Sequence, residues 1–202
     1  MIFYYNPTGV GDVLLVYMKD GAKPSFESKG AVTRIFDEET HETLGYNFFN
    51  AASLLDHKKN GKIQPDAALI KLLNQQLTEA EWKPLLPDEI RPLIVTGYVR
   101  EMKGHPDSDH MHVCQVDVGE ETLQIVCGAP NIDKGQKVVV ARLGALMPDG
   151  LIIRPTVLRG VSSYGMICSA RELGLPNAPQ KRGILVLDPL TEVGQDFYAM
   201  TV

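Results

Sequence analysis

Apolar positions in the first fifty residues fall in short runs rather than helical stripes. Ile2–Tyr5 and Val13–Met18 are rich in aromatic and β-branched residues and are separated by Asn6-Pro7-Thr8-Gly9, which predicts two strands around a turn. Val32 to Phe36 alternates apolar with polar, passes through the turn-forming cluster Asp37-Glu38-Glu39-Thr40, and resumes at Thr43–Tyr46, the pattern of a β-hairpin. The period then changes. Leu69, Ile70, Leu72, Leu73 and Leu77 recur at spacings of three and four behind Pro65-Asp66, which predicts a helix with a proline and a capping side chain at its start. Thr78-Glu79-Ala80-Glu81 has the form of a capping box and predicts a second short helix carrying Trp82. Pro84, Pro87 and Pro92 follow, and since proline restricts itself and its predecessor, they predict a domain boundary near residue 90.

Beyond Pro92 the pattern is strands punctuated by glycine. Leu93–Glu101, Met111–Val118, Leu123–Cys127, Gln136–Leu143, Leu151–Leu158 and Gly183–Asp188 are the predicted strands, and 12 of the 18 glycines lie in this half. Ser169–Leu173 is the one helical stretch, with Gly174 as its stop. Met111 and Val113 share one parity while Cys114, Val116 and Val118 share the other, which predicts a β-bulge inside that strand. Read this way, residues 1–90 form an α+β domain and residues 91–202 a small all-β barrel or sandwich.

Composition is ordinary for a globular chain, with 44% hydrophobic and 22% charged residues, which excludes wholesale disorder. The longest uncharged stretch, Thr43–Leu55, is too short for a membrane span, and no basic residue precedes Lys19, so no secretory signal is expected. Three cysteines in no CxxC spacing point to a reducing cytoplasm rather than a disulfide framework. A net charge of −5 argues against nucleic acid only if the charge is evenly spread. It is not. Residues 134–182 carry 8 Lys and Arg against 2 Asp and Glu, while 1–90 and 91–133 are each −4.

That basic segment is the first candidate for chemistry. Lys134, Lys137, Arg142, Arg154, Arg159, Arg171, Lys181 and Arg182 come from several predicted strands and loops and would neutralise phosphates if they converged on one face; the competing reading is a solvated face. Only 4 of the 14 aromatic residues lie in the strand-rich half, too few for the aromatic platforms on which single strands stack. A basic, aromatic-poor surface fits folded RNA read through backbone and shape. The cluster His105 to Cys114 contains metal-ligand types, but its spacing matches no zinc signature, and the predicted bulge turns His112 away from Cys114. Cys127 has no base placed beside it by the sequence and reads as a buried strand end rather than a nucleophile. Arg159 to Ser169 has two glycines and paired serines that permit close backbone approach, to a ligand or to another strand. No phosphate-loop or dinucleotide motif is present.

Several of these runs, taken in order, resemble one known module. His105-Pro106 with Asp109 and Val113–Gly119, Gln124–Asn131, Gly144-Ala145, Leu158–Val161, Ser163, Gly165–Ser169 and Glu172–Leu175 are similar to the tRNA-binding domain of the bacterial phenylalanyl-tRNA synthetase beta chain, also found in free-standing tRNA-binding proteins. Gly45–Asn50 resembles the leading domain of the free-standing YtpR-type proteins. The resemblance implies an OB-type barrel over 91–202 that binds tRNA without catalysis and without a cofactor. By position it implicates Asn131, Arg142, Ser163 and Met166 in RNA binding; charge adds Lys134, Lys137, Arg154 and Arg159, and Ser163 and Met166 read equally well as structural. His110 stands where the family often has Lys, leaving its RNA contact open. The N-terminal part reads as a partner-binding or positioning element, and the oligomeric state stays open, a homodimer included. Two rival functions are a protein- or peptide-interaction module and, less supported, a metal- or cysteine-dependent enzyme.

Overall fold

The computed structural model describes residues 1–55 and 60–200. The chain divides into two compact units, Met1–Arg91 and Pro92–Val202.

The first unit is built on a six-stranded antiparallel sheet. Its strands are β1 (Ile2–Tyr5), β2 (Val13–Tyr17), β3 (Pro24–Lys29), β4 (Val32–Asp37), β5 (Thr43–Phe49) and β6 (Gly61–Ile63), in the order β3-β4-β5-β2-β1-β6. Asn6 caps the one-turn helix α1 (Pro7–Val10) by accepting from the Gly9 N–H at 3.0 Å, which turns the chain from β1 into β2. The 13-residue helix α2 (Ala67–Glu79) starts where Asp66 accepts from the Leu69 N–H at 2.8 Å. Leu69, Ile70, Leu73 and Leu77 of α2 pack into a core with Phe3, Tyr5, Leu14, Val16, Tyr46 and Phe48 from one face of the sheet.

The second unit is almost entirely strands: β7 (Ile94–His105), β8 (Ser108–Asp117), β9 (Thr122–Cys127), β10 (Lys137–Ala141), β11 (Thr156–Leu158), β12 (Val161–Ser163), β13 (Met166–Ile167) and β14 (Val186–Leu187), with a terminal helical turn α3 (Phe197–Met200). One sheet runs β13-β10-β7-β8-β9, with β14 also on β10, and β11 and β12 form a separate hairpin. β7 pairs with β10 along Ile94–Tyr98 and with β8 along Tyr98–His105. Its alternating side chains enter two cores: Val95 and Val99 meet Val116, Ile125, Val138 and Val140, while Ile94 meets Val139, Ala141, Met147, Cys168 and Phe197.

Several expectations need correction. The first unit is largely strands rather than a balanced α+β domain, because β3 and β6 carry too few apolar residues to stand out from the sequence. The second helix at Thr78 does not exist. That segment ends α2, with Glu81 in the left-handed region (φ 57°), the Trp82 N–H on the Leu77 carbonyl and the Glu81 N–H on the Thr78 carbonyl, a Schellman closure. Ser169–Leu173 is one helical turn, closed by Ser169 and Glu172. Of Leu151–Leu158 only the last three residues are strand, and of Gly183–Asp188 only two. The pairing runs unbroken where the bulge is expected, through Val113 and Cys114. The register shifts instead at Arg100 of β7, between the pairs Val99–Val116 and Glu101–Gln115, and again at residues 109–111 of β8, between Gly104–His112 and His105–Ser108. Finally, the expected closed barrel is not formed: among the described residues no ladder joins the two ends of the sheet. β9 reaches β12 and the residues after it through isolated bonds, the Tyr164 N–H to the Gln124 carbonyl at 2.8 Å and the Gln124 side chain to the Ser162 carbonyl at 2.8 Å. Two-residue β13 is too short to supply more.

Candidate nucleic-acid interface

Three arginines of the second unit are held in a consistent way. Arg142, after β10, donates from Nη2 to the Val118 carbonyl at 2.9 Å. Arg159 donates from Nη1 to the Asp107 carbonyl at 2.9 Å, and Arg182 from Nη2 to the Gly128 carbonyl at 3.1 Å. Each guanidinium is fixed by a neutral acceptor, so its place is set while its full positive charge remains. Arg100 differs, because it pairs with Asp117 at 2.6 Å. Lys137 is half-buried, its ammonium 5.1 Å from the centre of the Tyr98 ring on the facing strand. Lys134 and Arg154 are exposed.

Arg159 sits at the tip of the β11–β12 hairpin. It and Gly160 both have positive φ, 44° and 83°, the geometry of a two-residue turn of the mirror-image kind. An arginine in that conformation is strained, and the hairpin is braced from the β7–β8 turn. The buried His105 accepts at Nδ1 from the Asp107 N–H at 3.1 Å, so Nε2 carries the proton and donates to the Leu158 carbonyl at 3.0 Å. His105, part of the histidine cluster weighed above for metal, thus acts as a strut. Among the described residues no group of three His, Cys, Asp or Glu side chains is arranged to hold a metal ion.

Three residues singled out for RNA have their polar atoms engaged inside the fold or pack within it. The Asn131 amide donates to the Ile184 carbonyl at 3.0 Å and accepts from the Ile184 N–H at 2.8 Å, reproducing a strand pairing with one side chain. Ser163 is buried, accepting from the Val126 N–H at 3.1 Å and donating to the Gly165 carbonyl at 3.2 Å. Met166 packs against the core that holds Ile94, Val139 and Ala141. The structure brings Asn131 together with Arg171, Lys181 and Arg182 around one cleft, whereas Arg159 stands on its own hairpin. Arg171, Lys181 and Arg182 were visible as charges, but no strand or helix period links 171 to 181–182, so only the fold shows their convergence.

The cysteines are interior groups. Burial pushes the thiols of Cys114 and Cys168 up to about 12. Cys127, the last residue of β9, is also raised by burial, despite the Ala129 N–H and the Arg182 charge that act in the opposite direction. Among the described residues no helix is long and apolar enough to cross a membrane.

Both units match known families. Residues 94–196 match the family described as "Putative tRNA binding domain", and residues 19–87 match a "Domain of unknown function (DUF4479)". Over 196 residues the chain is 48% identical to the "Putative tRNA-binding protein YtpR" of Bacillus subtilis (strain 168), covering 96% of this chain and 98% of that protein. The phenylalanine–tRNA ligase beta subunit of Sulfurimonas denitrificans is 50% identical over 120 residues, which is 59% of this chain and 15% of that subunit. That of Oceanobacillus iheyensis is 63% identical over 82 residues, 41% of this chain and 10% of the subunit.

Proposed function

Because the chain belongs to the tRNA-binding domain family, we propose that it binds tRNA through its second unit, recognises backbone and shape, and carries out no covalent chemistry. The observation that carries this reading is the setting of the arginines. Arg142, Arg159 and Arg182 are anchored on backbone carbonyls rather than carboxylates, which leaves their charge available to phosphates. Lys134 and Arg154 extend the positive surface as exposed side chains, and Lys137 adds a half-buried one. Asn131 and Ser163 serve as positioning residues, the first holding residues 183–184 and the second joining β9 to the Gly165 turn. The first unit has a role in positioning or in docking a protein partner, and the protein works in the cytoplasm.

Fluorescence anisotropy of labelled tRNA against the full chain, repeated across a salt series, tests the proposal. Four to six phosphate contacts give a slope of log K against log salt of about −3 to −5. Arg159→Ala reduces the steepness by about one and weakens binding about tenfold without changing the fold. Absence of binding at low salt, or binding indifferent to salt, overturns the reading.

A further inference from the structure

Two adjoining clefts lie between the end of β9, the Ser169–Gly174 turn and the segment that leads into β14. One, of about 340 Å³, is bounded by Pro130, Asn131, Pro179, Lys181 and Ile184. The other, of about 290 Å³, continues past Gly128, Ala129 and Met166. Ser169, Arg171, Arg182, Gly183 and Ile184 belong to both. Each is at the small end of the range for ligand sites, roughly 300–1,000 Å³. The walls are fixed by specific bonds. Asn131 clamps Ile184 from both sides of its peptide. Gly183 is required beneath that clamp, since a Cβ there would lie 2.8 Å from Asn131 Oδ1. Arg182 is locked on the Gly128 carbonyl.

The charge of the cleft is one-sided. Arg171 and Lys181 are exposed and form no ion pair among the described residues. The one carboxylate at the site, Glu172, is occupied by the Ser169 N–H at 2.7 Å and the Ser169 hydroxyl at 2.6 Å. Among the described residues no aromatic ring lines either cleft; the floor is proline and aliphatic carbon, and Arg182, held on the Gly128 carbonyl, is the planar group that borders both. We propose that this double cleft takes an unpaired nucleotide of an RNA strand, its phosphate on Arg171 and Lys181 and its base against Arg182 and Ile184. The second cleft gives the strand a way onward. A free anion would need only the cations, whereas the apolar floor and through-going shape fit a nucleotide within a chain.

This inference rests on the tRNA reading but fails separately from it. The full chain is titrated with an RNA hairpin that is blunt and with the same hairpin carrying a short 3′ single-stranded overhang. Wild type prefers the overhang, and Arg171→Gln with Lys181→Gln weakens the overhang complex about tenfold while changing the blunt one less than about twofold. Adenosine monophosphate shifts the backbone amide resonances of Ala170, Gly183 and Ile184 in wild type and not in the double variant; inorganic phosphate reproduces only part of that pattern. Equal loss on both hairpins assigns the cations to spread surface charge and overturns the cleft. So does salt-dependent tRNA binding with no adenosine monophosphate shift, which leaves the tRNA reading standing. Both substitutions are at exposed side chains, and unchanged thermal unfolding of the double variant separates lost contact from lost fold.

Discussion

The two units differ in what holds their cations and in where their aromatic residues go. In the first, Lys19 meets Glu42 at 2.7 Å, Lys23 meets Glu38 at 3.2 Å, and Lys29 lies between Glu81 and the Trp82 ring. Arg34 donates to Thr43 and the His41 carbonyl and leans over the Phe36 ring. In the second, Arg100 pairs with the carboxylate of Asp117, whereas Arg142, Arg159 and Arg182 rest on carbonyl oxygens, and Arg171 and Lys181 form no ion pair among the described residues. A lysine beside a glutamate adds little stability and no net field. An arginine on a carbonyl is positioned and still positive. Net charge of the whole chain hides this difference; the identity of each cation's partner reveals it.

The cores differ in parallel. Phe3, Tyr46 and Phe48 fill the first unit, and valines fill much of the second. The largest effect that sharpens the contrast is Phe48→Ala, which opens a cavity in a fully buried site and costs about 3–5 kcal/mol. Val140→Ala in the second unit removes less volume and costs about 2 kcal/mol. Trp82 is the single tryptophan and belongs to the first unit, so its fluorescence follows that unit during urea unfolding. Phe48→Ala moves the fluorescence midpoint down; Val140→Ala leaves it in place and moves the circular-dichroism transition of the second unit. A Val140→Ala variant that shifts the fluorescence midpoint equally breaks the separation.

Asn131→Ala comes next. It leaves the Ile184 N–H and carbonyl without partners, at about 1–3 kcal/mol, and releases the segment that carries Lys181 and Arg182. The expected result is a several-fold loss of affinity for tRNA together with faster hydrogen exchange at Ile184. Affinity that falls with unchanged exchange makes Asn131 a direct contact instead.

How much of this was legible in the sequence follows from the range of each interaction. Ile2–Tyr5, Val13–Tyr17 and the β4–β5 hairpin could be read because strand, turn and burial are all local there. α2 was legible for the same reason, from its leucine period and Asp66. β3 was not: Pro24, Phe26, Glu27 and Ser28 are exposed, and its pairing with β4 carries no period-two apolar signal. Thr78–Glu81 misled because a capping-box pattern describes side chains, while the backbone at Glu81 had already entered the left-handed region. In the candidate interface, the basic segment could be counted but not folded. That Asn131 faces Ile184, and that His105 faces Leu158, are contacts more than fifty residues apart, and a single sequence contains no term that pairs them.

A third test uses acid. Asp37 accepts backbone N–H bonds from Lys23, Thr40 and Glu39, which hold its carboxyl down to about 2. The unfolded value is about 3.9, so the stabilisation is complete above that value and is lost as pH falls through 2. The Trp82 midpoint of wild type therefore drops between pH 4 and 2. Asp37→Asn starts lower and shows a flatter profile over that window, because its amide does not titrate. Identical profiles for the two proteins refute the assignment.

The smallest effect is the most direct check on the contrast between the units. The Lys29 ammonium lies 4.2 Å from the centre of the Trp82 ring, with the Glu81 carboxylate at 3.9 Å and largely exposed. An exposed cation–π contact is worth about 0.5–1 kcal/mol and an exposed ion pair about as much or less. Lys29→Met therefore shifts Trp82 emission and lowers the first unit's midpoint slightly. It removes one positive charge, as Arg159→Ala does, but from a cation already matched by a carboxylate. On the reading developed above, its salt slope for tRNA stays at the wild-type value while that of Arg159→Ala becomes shallower by about one. Equal changes in slope would mean that the RNA senses total charge, and that the partners of individual cations do not decide where it binds.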